Sequence, residues 1–220
     1  MAHMDVIGLS GVQFFGKMSA SISHDLKNVL AVINENAGLL EDLCLMAGKG
    51  KPLDPGRLKR LAEEVKHQVR RGDRITTSMN DFAHSVDEAS VSIDVSKVVE
   101  LLVSLSERFV AMRGIVLEVG KPAGPVAITT FPFVLLNLLW LCLGYAMSVV
   151  GPGKAIELLA EKTEEGAWFR FCKLENMETD AAPPFPAERE IALGQALHAQ
   201  IFRDPAAREV RILLAQRQGA

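Results

Sequence analysis

Residues 23–28 read Ser23-His24-Asp25-Leu26-Lys27-Asn28. The pattern around them decides the fold of the first third of the chain. Apolar residues recur at Phe15, Met18, Ile22, Leu26, Val29, Ile33, Ala37, Leu40 and Cys44, spaced mostly by three and four. That period predicts one long helix over residues 13–47 with a heptad seam. Gly48-Lys49-Gly50-Lys51-Pro52-Leu53-Asp54-Pro55-Gly56 then reads as a turn. Gly48 suits a helix end, and Asp54 before Pro55 suits a helix start. A second helix is predicted over 56–86, with Leu58, Leu61, Val65, Val69, Ile75, Met79 and Phe82 as its apolar positions. A single hairpin covers each seam on one side only. Two copies are therefore expected to pair into a dimeric four-helix bundle.

Helical angles place His24 away from that seam. Each residue advances about 100°, which keeps Leu26, Val29, Ile33 and Leu40 within roughly 40° of Ile22. The same rule puts His24 at about 200° and Asn28 at about 240°, one turn apart on the solvent side. A neutral imidazole nitrogen is nucleophilic near neutral pH and can become a phosphoramidate. Asn28, four residues on, can orient a water beside it. Asp25 is an adjacent residue, and adjacent helical residues do not face each other, so it could hold the imidazole only with some rotation. An ordinary surface histidine has the same periodicity, so the spacing alone leaves both readings open.

Bulk properties narrow the function classes. The formal charge of −3 gives no reason to expect nucleic acid as a partner. Cys44, Cys142 and Cys172 lie far apart in apolar surroundings and read as buried free thiols of a reducing cytoplasm, without metal-ligand spacing. Met1-Ala2-His3-Met4 lacks the basic start of a signal peptide and reads as a cloning remnant. Phe131 to Gly153 carries no charge, long enough to raise a membrane span. Pro132, Asn137 and Gly144 interrupt it and no Lys/Arg cluster flanks it, so a buried helix without membrane insertion is expected.

Beyond residue 86 the period changes. Asp87 to Ser92 reads as a polar linker, and Asp94 as the cap of a helix over 95–113. Strands are expected at 115–119 and 126–130, an apolar helix over 131–149, and a hairpin of strands at 155–160 and 167–173. A helix over 188–202 and a last strand at 209–215 complete a compact α+β pattern.

Phe15-Gly16-Lys17-Met18-Ser19-Ala20-Ser21-Ile22-Ser23-His24-Asp25-Leu26-Lys27-Asn28 resembles the H-box of bacterial sensor histidine kinases. In that family a helix of a dimeric bundle carries a phosphorylated His, then an acid and, four residues after the His, Asn or Thr. The resemblance implies that His24 is a phosphoacceptor, Asp25 an acid–base group for transfer, and Asn28 the residue that positions a hydrolytic water. It continues weakly downstream. Residues 94–119 resemble the entry to the family's ATPase domain, and Phe133 to Leu139 the opening of its N-box. Departures are marked: where a second, metal-chelating Asn is expected stands Leu141, and the Asp-x-Gly-x-Gly element is missing. Beyond Lys154 the only glycines are Gly166, Gly194 and Gly219. Backbone approaches phosphates closely only where glycines allow it, and leucine offers Mg²⁺ no oxygen.

The expected organisation is a tag remnant and tail over 1–11, a dimerising phosphotransfer hairpin over 12–90, and a degenerate ATPase-like α/β domain over 91–220. The expected function is that of a cytoplasmic phosphorelay protein, closest to dimeric histidine phosphotransferases. It would exchange phosphate between His24 and an aspartate of a response-regulator receiver domain, bind no cofactor or metal of its own, and rely on Mg²⁺ brought by the receiver. The alternatives are a sensor-kinase core that still binds ATP and a non-catalytic docking module for a response regulator. The basic residues Arg57, Lys59, Arg60, Lys66, Arg70, Arg71 and Arg74 of the second helix read as a solvated face or a contact for an acidic receiver.

Overall fold

The computed structural model describes residues 2–88, 90–120, 124 and 126–216, with the side chains of 2–4 excepted. The elements are α1 (Ala2–Gly48), α2 (Pro55–His84), β1 (Val91–Asp94), α3 (Val95–Met112), β2 (Val116–Val119), β3 (Ala127–Thr130), α4 (Pro132–Val149), β4 (Ala155–Lys162), β5 (Gly166–Cys172), α5 (Glu188–Leu197), β6 (Ala199–Asp204) and β7 (Glu209–Ala215). The fold class is α+β, a helical hairpin with a small mixed-sheet layer. Contacts divide the chain into two compact units, Met18–Asn80 and Met1–Lys17 with Asp81–Ala220.

Within Met18–Asn80 the two helices bury one face each. Met18, Ile22, Val29, Asn36 and Leu43 are buried on α1, and Leu61 and Gln68 on α2. A Cβ on Gly72 would stand 3.5 Å from Val29 Cγ1, which fixes the level at which the helices meet. The turn follows from its residues: Gly50 adopts φ +82°, where other residues are strained, and the amides of Gly50 and Lys51 close on Ala47 and Met46 carbonyls. Asp54 accepts from the Gly56 amide at 2.9 Å and so caps α2, with Pro55 at its first position.

The expected seam is rotated. Ala37 and Cys44 are exposed, and Asn36 and Leu43, one residue earlier, take the buried side. Val69 and Met79 are exposed as well. The reason is that the hairpin has two apolar stripes. The stripe centred on Val29, Asn36 and Leu43 meets the partner helix of the same hairpin. The other, through Leu26 and Ile33, is only part-buried, and the period of three and four merges it with the first. Cys44 is thus an exposed thiol, which corrects the expectation that all three cysteines are buried; Cys142 is buried and Cys172 half-buried.

In the second unit a five-stranded sheet runs in the order β2-β4-β5-β7-β6, antiparallel except for the β2–β4 pair. β1 and β3 form a separate antiparallel pair. One face of the sheet carries Ile156, Leu158, Phe169, Phe171, Val210, Ile212 and Leu214, all essentially inaccessible. Burial of this face stabilises the unit at roughly 25 cal/mol per Å² of apolar area. The opposite face carries charge. Glu209, 4% exposed, accepts from Arg170 Nε at 3.0 Å and Nη2 at 2.7 Å, and its second oxygen lies 3.2 Å from Arg211 Nε. The Arg211 Nε–H is not aligned for a hydrogen bond, so that contact is an ion pair only.

Asp94 caps α3 as its position suggests, accepting from the Ser96 amide at 2.9 Å. α4 is long and apolar enough to cross a membrane by length and composition, and 67% of that stretch is buried within the protein.

Three expectations need correction. α1 begins at Ala2 rather than near residue 13, because Ser10, Gly11 and Phe14 find buried places beside Phe82, Phe133 and Asn137. The polar linker contains β1 from Val91, which pairs with β3 through four registered positions. The helix expected over 188–202 stops at Leu197. His198 turns left-handed at φ 54°, its amide closing on Gln195 and Gly194 carbonyls, and the alternating Ala199-Gln200-Ile201-Phe202-Arg203-Asp204 becomes strand β6 against β7. Ile201 and Phe202 were legible as strand formers; no glycine announced the turn.

Candidate functional site

His24 lies in the middle of α1, in the hairpin unit, with its side chain 48% exposed. Helical geometry sets its direction. Met18, Ile22 and Val29 define the buried side, and His24 lies well over a quarter turn from each by the 100° rule. No Gly or Pro interrupts α1 between Lys17 and Ala37, so the direction is firmly held.

Two polar groups meet at one nitrogen of the imidazole. Asn28 Nδ2 lies 3.2 Å from His24 Nδ1. Asp25 Oδ1 lies 3.6 Å from the same Nδ1, within ion-pair range but longer than a hydrogen bond. Asp25, at 25% exposure, is drawn toward the buried side of the helix and turns its carboxylate back to its neighbour. The two adjacent side chains thus come within ion-pair range. All three sequence-selected residues gather around Nδ1, and Nε2 has no protein partner among the described residues.

The place of the ring proton depends on which Asn28 group faces Nδ1. An Asn amide presents either N–H or C=O to Nδ1 on rotation by 180° about its Cβ–Cγ bond. With the Nδ1–H tautomer, Asp25 and the Asn28 carbonyl both attract that proton and Nε2 keeps its lone pair. The site is then a solvent-facing nucleophile whose developing positive charge meets an anion on the far side of the ring.

The second unit places the remaining sequence-selected residues differently. Asn137 is buried, and its Nδ2 donates to Ser10 Oγ at 3.1 Å. It thus fastens α4 to the first turns of α1. Leu141, one turn on, lines a cavity beside Trp140 and Met147. Tyr145 stacks on Phe185 at 4.2 Å between ring centroids, and its hydroxyl accepts from Arg203 Nε at 3.1 Å. Arg203 also donates through Nη2 to the Met177 carbonyl. Phe185 belongs to the Pro183–Pro186 loop between β5 and α5, so this loop is laid over Tyr145. No group of three or more His, Cys, Asp or Glu side chains suited to a metal occurs among the described residues. One feature that the sequence reading passed over is Lys17, within the H-box stretch itself. Its ammonium lies 5.2 Å from the Phe109 ring centre and 5.0 Å from that of Trp140. Phe109 and Trp140 are far from Lys17 in sequence, so no local pattern could have announced the contact.

No protein-family model matches the sequence, and no curated protein matches it. Among solved structures, the histidine kinase AdeS of Acinetobacter baumannii is similar at 13% identity and a TM-score of 0.48, over 89% of this chain and 98% of that one. A bacterial phosphotransferase is similar at 15% identity and a TM-score of 0.47, over 91% and 95%. The histidine kinase ThkA, solved in complex with the response regulator protein TrrA, is similar at 14% identity and a TM-score of 0.44, over 91% and 61%. In fold class the chain resembles these histidine-kinase and phosphotransferase structures, a helical hairpin joined to a small mixed-sheet layer.

Proposed function

We propose that this chain is a histidine phosphotransferase of two-component signalling, exchanging phosphate between His24 and the aspartate of a response-regulator receiver domain. The observation that carries the reading is the approach of Asp25 and Asn28 to Nδ1 of a half-exposed His24 imidazole. The Nε2 lone pair attacks the phosphorus of the receiver's aspartyl phosphate. The P–O bond to the aspartate breaks, and the carboxylate leaves with its electron pair. The imidazole becomes a phosphoimidazolium whose Nδ1–H is stabilised by the Asp25 carboxylate. The reverse step hands the phosphoryl group to another receiver. Such transfer needs positioning and charge neutralisation more than covalent assistance. The receiver brings its own Mg²⁺, and Asn28 positions water when the aspartyl phosphate is hydrolysed instead.

Two further elements belong to the proposal. The chain works as a homodimer, because Leu30 on α1 and Val69 and Met79 on α2 stay 63%, 48% and 43% exposed in the single hairpin. It does not draw phosphate from ATP. Leu141 offers no metal ligand, and the loop over Tyr145 fills space with Phe185.

The test is incubation with a radiolabelled, phosphorylated receiver domain. Label should move to the wild-type chain and not to His24→Ala, while both bind the receiver. His24 is exposed, so the substitution should change stability by no more than about 0.5 kcal/mol. Label on His24→Ala, or none on the wild type with any receiver of its own cell, removes the reading. Receiver binding without transfer would establish a docking module, and labelling from ATP alone a kinase core.

A further inference from the structure

A cavity of about 590 Å³ opens between the end of α3, the middle of α4 and Lys17 of α1, all within the second unit. Its volume falls in the roughly 300–1,000 Å³ range of small-molecule sites. The walls are Phe109, Trp140, Leu141 and Met147, with two cations, Lys17 and Arg113. No carboxylate lines it.

Lys17 and the nearby Lys154 differ in what they already satisfy. The C-terminal carbonyls of α3 attract positive charge, and Lys154 answers that need by donating to the Arg113 carbonyl at 3.4 Å. Lys17 has no such oxygen among the described residues. Its ammonium sits over the faces of Phe109 and Trp140, whose ring centres are 4.9 Å apart. Ring faces attract a cation without accepting the directed hydrogen bonds of its three N–H groups. The two rings therefore hold an ammonium in place with its donors unspent, above an apolar floor. Such a site favours a ligand with one anionic oxygen group and an apolar body. A neutral apolar molecule leaves the cations unanswered. A small anion leaves the floor in water.

We propose that this cavity binds a small amphipathic carboxylate, with its carboxylate on Lys17 and Arg113 and its apolar part against Phe109, Trp140, Leu141 and Met147. Carboxylate against ammonium and guanidinium is a charge-assisted pairing, stronger than a neutral hydrogen bond. Methionine in the wall adapts to chains of different shape. The site is independent of phosphate chemistry at His24, and its test does not depend on a receiver.

Trp140 forms part of the wall and is one of only two tryptophans. In a Trp168→Phe chain its emission reports the cavity alone. Titration with decanoate should give a saturable change, confirmed by calorimetry on the unaltered protein. Decanol, acetate, and decanoate with Lys17→Met or Arg113→Gln should each bind at least about tenfold more weakly. Lys17 and Arg113 are exposed, so these variants fold. Absence of saturation by decanoate overturns the proposal. So does decanol binding as well as decanoate, or indifference to both substitutions, since either would leave only an apolar surface.

Discussion

Asn28 Nδ2 lies 3.2 Å from His24 Nδ1, one helical turn apart on the exposed face of α1. With Asp25 Oδ1 at 3.6 Å from the same nitrogen, one ring nitrogen is engaged and the other is free. In the proposed transfer the carboxylate would act on charge and the amide on hydrogen bonding and water. Substitution can therefore separate them.

Asp25→Asn should slow transfer to and from His24 alike, because it removes the carboxylate that offsets positive charge developing on the imidazole in the transition state, which both directions share. A loss of about ten- to a hundredfold is expected for one such electrostatic partner. Asn28→Ala should leave the first transfer largely intact and reduce loss of the receiver's aspartyl phosphate to water. Rapid-quench measurement of label on chain, receiver and free phosphate reads all three rates. Equal losses in both variants at every step would mean that neither residue has the role assigned to it.

The proposed dimer rests on exposed apolar side chains, and the substitution that tests it follows from their position. Leu30 is among the most exposed apolar residues of α1, so Leu30→Glu costs the isolated hairpin little. In a four-helix bundle it would place two like charges in an apolar seam. Light scattering at micromolar concentration should give about twice the 24.0 kDa chain mass for the wild type and about that mass for Leu30→Glu. A folded wild-type monomer would refute the bundle.

Calorimetry with Mg-ATP should give no saturable heat at sub-millimolar nucleotide. Leu141→Asn should not restore binding. It supplies one oxygen ligand but neither the glycine turns for the phosphates nor the space that Phe185 takes beside Tyr145. Tight Mg-ATP binding by either protein would favour the kinase alternative.

Much of this was legible in the sequence, for physical reasons that differ by element. The hairpin was readable because Gly48 to Gly56 combines turn and capping residues between two long periodic runs. The strands β4 and β5 were readable because their core faces alternate with a face that carries Glu157 and Arg170. The start of α1 was not readable, because its residues Ser10 and Gly11 are poor helix markers whose places are set by Asn137 and Phe133, far away in sequence. The end of α5 was missed because His198, not glycine, takes the left-handed position. At the candidate site, residue types and spacing named His24 and Asn28. The approach of Asp25 depended on side-chain rotation that no helical wheel contains.

The last expectation concerns alkaline stability. Burial pushes the Cys172 thiol up to about 11, with Glu209 adding to the shift and Arg170 opposing it. Burial pushes Cys142 well above the usual thiol value too, with the Glu190 carboxylate adding to it. In the unfolded chain both ionise near the ordinary value of about 8.5. The sign follows from proton counting. Above that pH the unfolded state has released protons that the folded state still holds, so rising pH favours unfolding. The contribution is fully present below about pH 8.5 and shrinks as pH climbs toward the folded-state values. Cys172 is half-buried, so part of its effect is screened by solvent. Urea unfolding at about pH 8 and about pH 10 should show a drop in midpoint for the wild type. The drop should be smaller in Cys172→Ser, whose hydroxyl keeps a polar atom near Glu209 and does not titrate in this range. Because Cys172 sits behind Arg170 and Glu209, a lost ion pair is the competing cause of any change. Cys172→Ser should therefore match the wild type at about pH 8 and differ only at the higher pH. A constant offset between the two proteins at both pH values would assign the effect to packing rather than to the thiol proton.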